Sequence, residues 1–294
     1  HKITRYMKLY PIQCGNFKLD GGAMFGVVPK SLWERTNPAD SKNLIELGTR
    51  SLLVEDGKKL ILIDCGLGNK QDEKFFGHYS LYGDESLDKN LKKFGFVRED
   101  ITDVFLTHLH FDHCGGAIEW NDDKTGYRPA FKNAQFWTNE NHWQWATEPN
   151  PREKASFLKE NILPMQESGQ LQFLPTPKTG NYGFAPDLKM DVIFVDGHTE
   201  KQMLPVIQYQ EKTIVFAADL IPTAGHIPQV YVMGYDTRPL LTMEEKGKFL
   251  KQCVENEYLL FFEHDAHHEL ASLKMTEKGV KLDETFSFNE VFGY

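Results

Sequence analysis

The sequence has few of the features that mark membrane proteins or nucleic-acid-binding proteins. No apolar run approaches the roughly 20 residues that a membrane-spanning helix needs. Its 33 lysines and arginines are outnumbered by 42 acidic residues, which gives a net charge of −9. Because no basic block offsets this charge, we expect neither a nucleic acid nor a membrane as a partner.

Cysteine is scarce as well. The four cysteines lie far apart and form no CxxC pair: Cys14, Cys65, Cys114 and Cys253. This usage is typical of reduced, buried thiols in a cytosolic protein. No signal peptide is evident, so we expect a cytoplasmic location, although a leader removed ahead of His1 would leave no trace in the chain.

The 294 residues, of which 40% are hydrophobic, are enough for one large domain or two modest ones. No linker or low-complexity tract divides the chain, so we expect a single domain over residues 1–294. Strand and helix patterns alternate along it, which favours a mixed α/β architecture. Strands are predicted at 6–10, 49–54, 60–66, 101–106, 171–174, 190–195, 213–218 and 258–262, and helices at 86–94 and 243–254.

Two further segments are candidates for the walls of a site. Residues 15–40 read as a bent, glycine-punctuated loop that presents Met24 and Phe25, with Trp33 extending it. This loop is either a hairpin tip packed on its own domain, a wall of an apolar pocket, or a contact in a homodimer. Residues 139–166 read as a helical insertion whose tryptophans belong either to the core or to a lid.

The chemistry is concentrated between Thr107 and Gly116. Three histidines and an aspartate fall within six residues directly after the apolar run 104–106, and two glycines allow a close turn. Imidazole and carboxylate are the ligands that zinc prefers, and burying four such groups without a partner is costly. The spacing therefore predicts a metal site at the end of this strand.

Later strands deliver further ligand-type residues at their carboxyl ends, which is the edge where sites form in open sheets. Together these residues suit two metal ions that share a bridging carboxylate and keep a position for water. Asp64, at the end of an earlier apolar strand, either caps its turn or orients a ligand imidazole. The candidate ligands are His108, His110, Asp112, His113, His198, Asp219 and His264.

The segment His108-Leu109-His110-Phe111-Asp112-His113 resembles the signature of the metallo-β-lactamase superfamily, and the later ligands follow in that superfamily's order. The resemblance spans the chain from Asp64 to His264. It implies an αββα sandwich with two mixed sheets flanked by helices, and two Zn²⁺ ions per chain. One ion would take His108, His110 and His198, the other Asp112, His113 and His264, with Asp219 bridging.

Within the superfamily, the chain looks most like the quorum-quenching N-acyl homoserine lactone lactonases, in residues 19–29 and 218–223. That resemblance implies opening of a small amphiphilic lactone by metal-bridging hydroxide, with Asp112 passing the proton. The alternative is a promiscuous phosphotriester or carboxylester hydrolase, followed by a glyoxalase II-like thioesterase or a persulfide dioxygenase. A binding scaffold without activity is disfavoured because every ligand position is filled.

The sequence departs from these lactonases at one position. Many of them carry a substrate-binding tyrosine three residues after the bridging aspartate, where this chain has Pro222. His226, Tyr231 or Tyr235 could replace it, and we expect His226 because it is nearest in sequence. The alternative for His226 is a structural histidine. Cys114, beside the ligand loop, is interpreted as a small packing residue.

Overall fold

The computed structural model describes residues 6–293. Its two principal sheets are both mixed. The first has the order β1-β2-β3-β4-β7-β8 and the second the order β15-β14-β13-β12-β11-β10-β9, while β5 and β6 form a separate pair. The strands are β1 (Met7–Asp20), β2 (Leu44–Asp56), β3 (Lys59–Ile63), β4 (Asp103–Phe105), β5 (Ile118–Trp120), β6 (Tyr127–Pro129), β7 (Gln135–Asn139), β8 (Leu171–Leu174), β9 (Tyr182–Ala185), β10 (Met190–Val195), β11 (Gln202–Tyr209), β12 (Lys212–Phe216), β13 (Leu259–Phe261), β14 (Leu270–Thr276) and β15 (Gly279–Phe286).

Side-chain alternation along the central strands explains the layering. In β3, Ile61 and Ile63 join the core shared with the second sheet, whereas Leu60 and Leu62 join a second core on the opposite face. This second core is covered by helices, so the strand is apolar on both faces. The helices are α1 (Gly21–Phe25), α2 (Lys30–Trp33), α3 (Glu73–Gly77), α4 (Leu87–Lys93), α5 (Phe111–Cys114), α6 (Glu140–Thr147), α7 (Lys159–Glu167), α8 (Pro239–Glu255) and α9 (Phe288–Phe292).

The predicted fold class, an αββα sandwich of two mixed sheets, is confirmed. Helices α4, α6 and α7 pack on the first sheet, and α8 packs on the second. Ser86 caps α4, since its hydroxyl accepts from the Lys89 amide. The four cysteines are all free thiols, as expected. No helix within residues 6–293 is long and apolar enough to cross a membrane.

The structure differs from the predicted elements at both ends of the chain. Residues 15–20 are the second half of β1, which pairs with β2 across a bulge after Gln13, and only the part from Gly21 onward leaves the sheet. The carboxyl-terminal region, for which no strand or helix was predicted, forms β14, β15 and α9. The sequence pattern did not predict these strands because most of β15 is exposed or only partly buried. Apolar and polar residues therefore alternate only weakly along it.

Candidate metal centre and cavity

Four strands end at the same place between the two sheets and deliver the predicted ligands there. The segments that follow β4, β10, β12 and β13 carry His108, His198, Asp219 and His264. The parallel pairs β3–β4 and β12–β13 align their carboxyl ends, which brings the two halves of the site together. Helix α5 then turns Asp112 and His113 back toward Asp219.

The turn at α5 depends on two glycines. A Cβ atom on Gly115 would lie 2.1 Å from the Leu67 carbonyl oxygen, and one on Gly116 would lie 2.1 Å from that of Cys65. Any side chain at either position would push the ligand loop away from the segment that follows β3. The close return predicted for these glycines is what the structure shows.

The first cluster, here called the three-histidine group, consists of His108, His110, His198 and one oxygen of Asp219. Asp219 Oδ2 lies 3.1 Å from His198 Nε2 and 3.7 Å from His108 Nε2. His110 Nδ1 lies 3.3 Å from His198 Nε2. Four ligand atoms from four segments of the chain therefore face one point.

The second cluster, the two-histidine group, uses the other oxygen of Asp219. Oδ1 lies 3.3 Å from His113 Nε2 and 3.2 Å from His264 Nε2. Asp112 Oδ2 completes the group at 3.2 Å from His264 Nε2 and 3.5 Å from His113 Nε2. Asp219 thus faces both groups, one oxygen to each.

Glu263 is also near this second cluster. Its Oε1 lies 2.9 Å from His113 Nδ1, on the edge of the ring that faces away from Asp219. Burial and the negative charge of Asp64 raise the pKa of Glu263, which favours the neutral acid. Glu263 therefore lies on the outer side of the His113 ring, whereas the Asp112 oxygen lies near the nitrogen that faces Asp219.

The spacing of these ligand atoms suits metal ions. With Zn–N distances of about 2.0–2.1 Å, tetrahedral ligands lie roughly 3.3 Å apart, close to the separations within both groups. His108 Nε2 and Asp219 Oδ1 are buried, and neither makes a hydrogen bond within residues 6–293. Such atoms are costly to bury unless they coordinate an ion. The cluster is therefore a binding site for a metal cofactor.

The charges of the cluster point the same way. Burial acts to lower the pKa of His198, but the nearby carboxylates of Asp219 and Asp236 outweigh it and raise that pKa to about 10. The pKa values of His113 and His264 are raised for the same reason, against burial, by the surrounding carboxylates. The carboxylates therefore create a negative potential where the two groups meet. Such a potential favours the binding of a divalent cation.

Each ligand imidazole is held by a partner on its other nitrogen, as metal-binding histidines usually are. The partners are Thr107 Oγ1 for His108 (3.1 Å), Glu153 Oε1 for His110 (3.0 Å), Asp64 Oδ2 for His113 (2.9 Å), Asp236 Oδ1 for His198 (2.8 Å) and the Gly48 carbonyl oxygen for His264 (2.8 Å).

Of the two roles left open by its sequence position, Asp64 takes the second, because it orients a ligand imidazole. Its Oδ1 accepts from the Thr107 amide at 2.8 Å and its Oδ2 accepts from the Thr107 hydroxyl at 2.7 Å. It therefore fixes the start of the ligand loop and also orients His113. Its φ of +58° places it in the left-handed region, a strained conformation that the three bonds hold.

Glu153 and Asp236 are the orienting residues that sequence reasoning missed. Glu153 is buried and also accepts from Trp145 Nε1 at 2.6 Å and from Asn150 Nδ2 at 2.7 Å. Burial favours its neutral form, but the hydrogen bond and charge of His110 outweigh burial and lower the pKa of Glu153 to about 2. The only sequence signal for either residue was an acidic side chain inside an irregular segment.

A cavity of about 390 Å³ opens above the cluster, and His110, Asp112, His198, Asp219 and His264 contribute to its floor. Apolar side chains dominate the remaining walls, together with the phenol rings of Tyr79 and Tyr235 and the guanidinium of Arg152. The apolar lining residues are Leu19, Met24, Leu47, Phe111, Ala155 and Met233.

The structure separates the three residues predicted for a pocket wall. Met24 lines the cavity, whereas Phe25 and Trp33 do not. The Phe25 ring stacks on Trp33 at a centroid distance of 5.3 Å, and both side chains are buried behind the wall. The expectation that all three line the pocket is therefore corrected, because residues 21–25 form a helix that directs successive side chains to different sides.

His226 is also displaced from its predicted role. It is fully buried, stacks on Phe25 at 4.1 Å and does not line the cavity. Both ring nitrogens are engaged: Nε2 donates to the Met24 carbonyl oxygen at 2.8 Å, and Nδ1 accepts from the Thr223 hydroxyl at 2.6 Å. The expectation that His226 contacts the substrate is corrected in favour of the structural alternative, and Tyr235 is the member of that loop that faces the cavity.

Comparison with known proteins agrees with this geometry. A family model described as the metallo-beta-lactamase superfamily matches residues 44–252. The N-acyl homoserine lactonase of Bacillus cereus is 22% identical over 275 residues, which cover 89% of this chain and 94% of that protein.

Two solved structures are similar over nearly the whole chain. A probable metal-dependent hydrolase from Staphylococcus aureus superposes with a TM-score of 0.81 at 26% identity, covering 95% of this chain and 96% of that one. AidC, a dizinc quorum-quenching lactonase solved with the product N-hexanoyl-L-homoserine, superposes with a TM-score of 0.75 at 22% identity, covering 97% and 98%. The chain thus belongs to the metallo-beta-lactamase superfamily, as a hydrolase with a metal centre of histidines and aspartates.

Proposed function

We propose that this protein opens the lactone ring of N-acyl homoserine lactones, using two zinc ions that share Asp219. The observation that carries the proposal is the position of a two-group, carboxylate-bridged cluster at the floor of a mainly apolar cavity. The names of the similar lactonases support the same substrate class.

The residues divide the chemistry between them. The three-histidine group would hold one zinc ion and the two-histidine group, with Asp112, the other. Zinc bound there would supply hydroxide at neutral pH and polarise the ester carbonyl. The side chains that surround the groups keep the imidazoles oriented, and no protein nucleophile is needed. Cys114 fits this, since its buried thiol donates to the Leu109 carbonyl oxygen at 3.3 Å and does not line the cavity.

Asp112 is the residue we propose for proton transfer. Its carboxyl is 13% exposed and lines the cavity, whereas the Asp219 carboxyl is 8% exposed and lies between the two groups. The Asp112 carboxylate would therefore take a proton from a water held at the two groups and pass it to the departing alcohol of the opened ring. This is the position a general acid–base needs.

Tyr235 is the residue we propose for contact with the substrate. It lines the cavity, is 40% exposed, and lies in the loop that sequence reasoning marked as the substitute for the missing tyrosine at Pro222. Burial, followed by the charge of Asp112, raises the pKa of Tyr235 to about 12, so its hydroxyl stays protonated at neutral pH. A protonated phenol can donate to the carbonyl or amide oxygen of the substrate.

The acyl chain would lie along the apolar wall formed by Met24 and Met233 with Leu19, Leu47 and Phe111. Methionine side chains adapt to ligands of different length, which suits a range of chain lengths. An enzyme for compact, charged substrates would have no use for this wall.

Initial rates on a defined set of substrates test the proposal. The zinc-loaded protein should open short- and long-chain acyl homoserine lactones with kcat/KM at least tenfold above that for a δ-lactone, an aryl phosphotriester and a glutathione thioester. A preference for the phosphotriester would replace the lactonase assignment with the alternative hydrolase. One iron per chain with consumption of oxygen would replace it with a dioxygenase.

A further inference from the structure

Two carboxylates outside the ligand set hold two of the imidazoles in the three-histidine group. Glu153 Oε1 lies 3.0 Å from His110 Nε2, and Asp236 Oδ1 lies 2.8 Å from His198 Nδ1. Both carboxylates are at most 3% exposed. Each is therefore a fixed acceptor that determines which way a ligand ring points.

These carboxylates come from opposite walls of the cavity. Glu153 lies in the segment 148–158 between α6 and α7, which also supplies Ala155 and Ser156 to the lining. Asp236 lies in the segment 227–238 before α8, which supplies Met233 and Tyr235. The two walls thus reach the same metal group from two sides.

Arg152 joins the walls. Its Nη2 donates to the carbonyl oxygens of Gly234 and Asp236, the latter at 3.2 Å. Arg152 is adjacent to Glu153 in the chain, and its guanidinium donates to the backbone carbonyl of Asp236. A single guanidinium therefore links the acceptor of His110 to the acceptor of His198.

The two imidazoles of the two-histidine group have orienting partners outside this link. His113 is oriented by Asp64, which follows β3, and His264 by the carbonyl oxygen of Gly48 in β2. Neither partner belongs to segment 148–158 or segment 227–238. A change at Arg152 should therefore act on one group only.

We propose that Arg152 is a positioning residue that sets the zinc affinity of the three-histidine group by tying the two cavity walls together, and that it leaves the two-histidine group unaffected. The inference rests on the proposed two-zinc function. It also explains why Arg152, a charged residue that lines the cavity, donates its hydrogen bonds to backbone carbonyl oxygens.

The test measures zinc affinity of the full chain by competition with a chromophoric chelator, in two backgrounds. His264→Ala leaves the three-histidine group intact, and His110→Ala leaves the two-histidine group intact. Arg152→Met should weaken zinc binding about tenfold in the first background, the lower end of the effect of lost outer partners, and less than about twofold in the second. Arg152→Lys, which can still donate to both carbonyls, should restore most of the affinity.

Three further variants keep the result interpretable. Lys154→Met removes an exposed cation from the same segment and should change zinc affinity in neither background. Glu153→Gln acts on the same group directly, through the partner of His110. It should weaken zinc binding by about 10- to 100-fold in the first background only. Its matched control is Glu148→Gln, at an exposed position of the same segment.

Equal losses in both backgrounds for Arg152→Met, or a loss no larger than that of Lys154→Met, would overturn the inference. The readout uses zinc alone, so it does not depend on the substrate. A protein that shows the selective loss without opening lactones would refute the proposed substrate while leaving the role of Arg152 intact.

Discussion

Replacing His226 by alanine should destabilise the fold while leaving the chemical step nearly unchanged. The ring lies behind the cavity wall, stacked on Phe25 and bonded to the Met24 carbonyl and the Thr223 hydroxyl. It therefore fixes the backbone of Met24 and does not face the substrate. Sequence proximity to Asp219 alone would have predicted the opposite.

The size of the effect follows from these contacts. Leaving a buried donor or acceptor without its partner costs about 1–3 kcal/mol, and loss of a stacked aromatic pair costs about 0.5–1.5 kcal/mol. Two polar partners and one stack are lost, so these terms together span about 2.5–7.5 kcal/mol. Large-to-small core substitutions rarely exceed about 5 kcal/mol, and we therefore expect His226→Ala to lower the free energy of unfolding by about 3–5 kcal/mol.

The same residue contributes a pH dependence whose sign can be worked out. Burial lowers the pKa of His226 to about 3, whereas an unfolded histidine titrates near 6.5. The folded state therefore resists protonation, and the contribution of His226 is complete above pH 6.5 and is lost as the pH falls toward 3. The slope is at most about 1.4 kcal/mol per pH unit, and His226→Gln should remove it.

Urea denaturation of the zinc-loaded protein between pH 5 and pH 8, together with kcat for a lactone substrate, checks both statements. The matched control is His78→Ala, because His78 is exposed and should change neither quantity. If His226→Ala left stability unchanged and lowered kcat by about a hundredfold, the structural role of His226 would be refuted. The residue would then act in the reaction.

Three other predictions test the cavity and the metal centre. Met24→Asp should lower kcat/KM for long-chain substrates by at least about tenfold because it places a charge in an apolar wall, whereas Val27→Asp, at a neighbouring position that is 98% exposed, should not. Tyr235→Phe should lower kcat/KM about tenfold and change stability by no more than about 0.5 kcal/mol. Tyr231→Phe should behave as wild type because the Tyr231 ring does not line the cavity. Equal effects of the two substitutions would contradict the proposed contact between Tyr235 and the substrate. Removal of the metal by a chelator should lower the melting temperature measured by calorimetry. The reason is that zinc at a thousandfold excess over its dissociation constant stabilises the folded state by about 4 kcal/mol. An unchanged melting temperature would argue against a metal within the fold.

The ligand set could be predicted from the sequence because its members are marked locally. His108, His110, Asp112 and His113 fall in one loop, and His198, Asp219 and His264 each follow an apolar strand. Strand direction alone then brings them to one edge. Asp64 is marked in the same way, as a polar residue that ends an apolar run.

The orienting residues and the cavity walls could not be predicted in this way. Glu153 lies 43 positions from His110, and Asp236 lies 38 positions from His198, both in irregular segments without a repeating pattern. Their contacts are set by how those segments fold over the sheets. Tyr235 and Arg152 face the cavity for the same reason.

The difference between Met24, which lines the cavity, and Phe25, which does not, has a more local cause. The glycines around them suggested a loop that exposes both side chains, but residues 21–25 form a helix capped by Asp20, whose carboxylate accepts from the Ala23 amide at 2.9 Å. Adjacent residues in a helix point about 100° apart. Only Met24 therefore reaches the cavity, and Phe25 packs between Trp33 and His226.

A single titration tests the proposal that two zinc ions sharing Asp219 open a lactone ring. Zinc is added in steps to the metal-free protein while ring opening of N-hexanoyl homoserine lactone is followed by proton release. We expect the rate to rise until two equivalents of zinc per chain are bound and then to stay constant. A rate that reaches its maximum at one equivalent, or no ring opening at two, would contradict it.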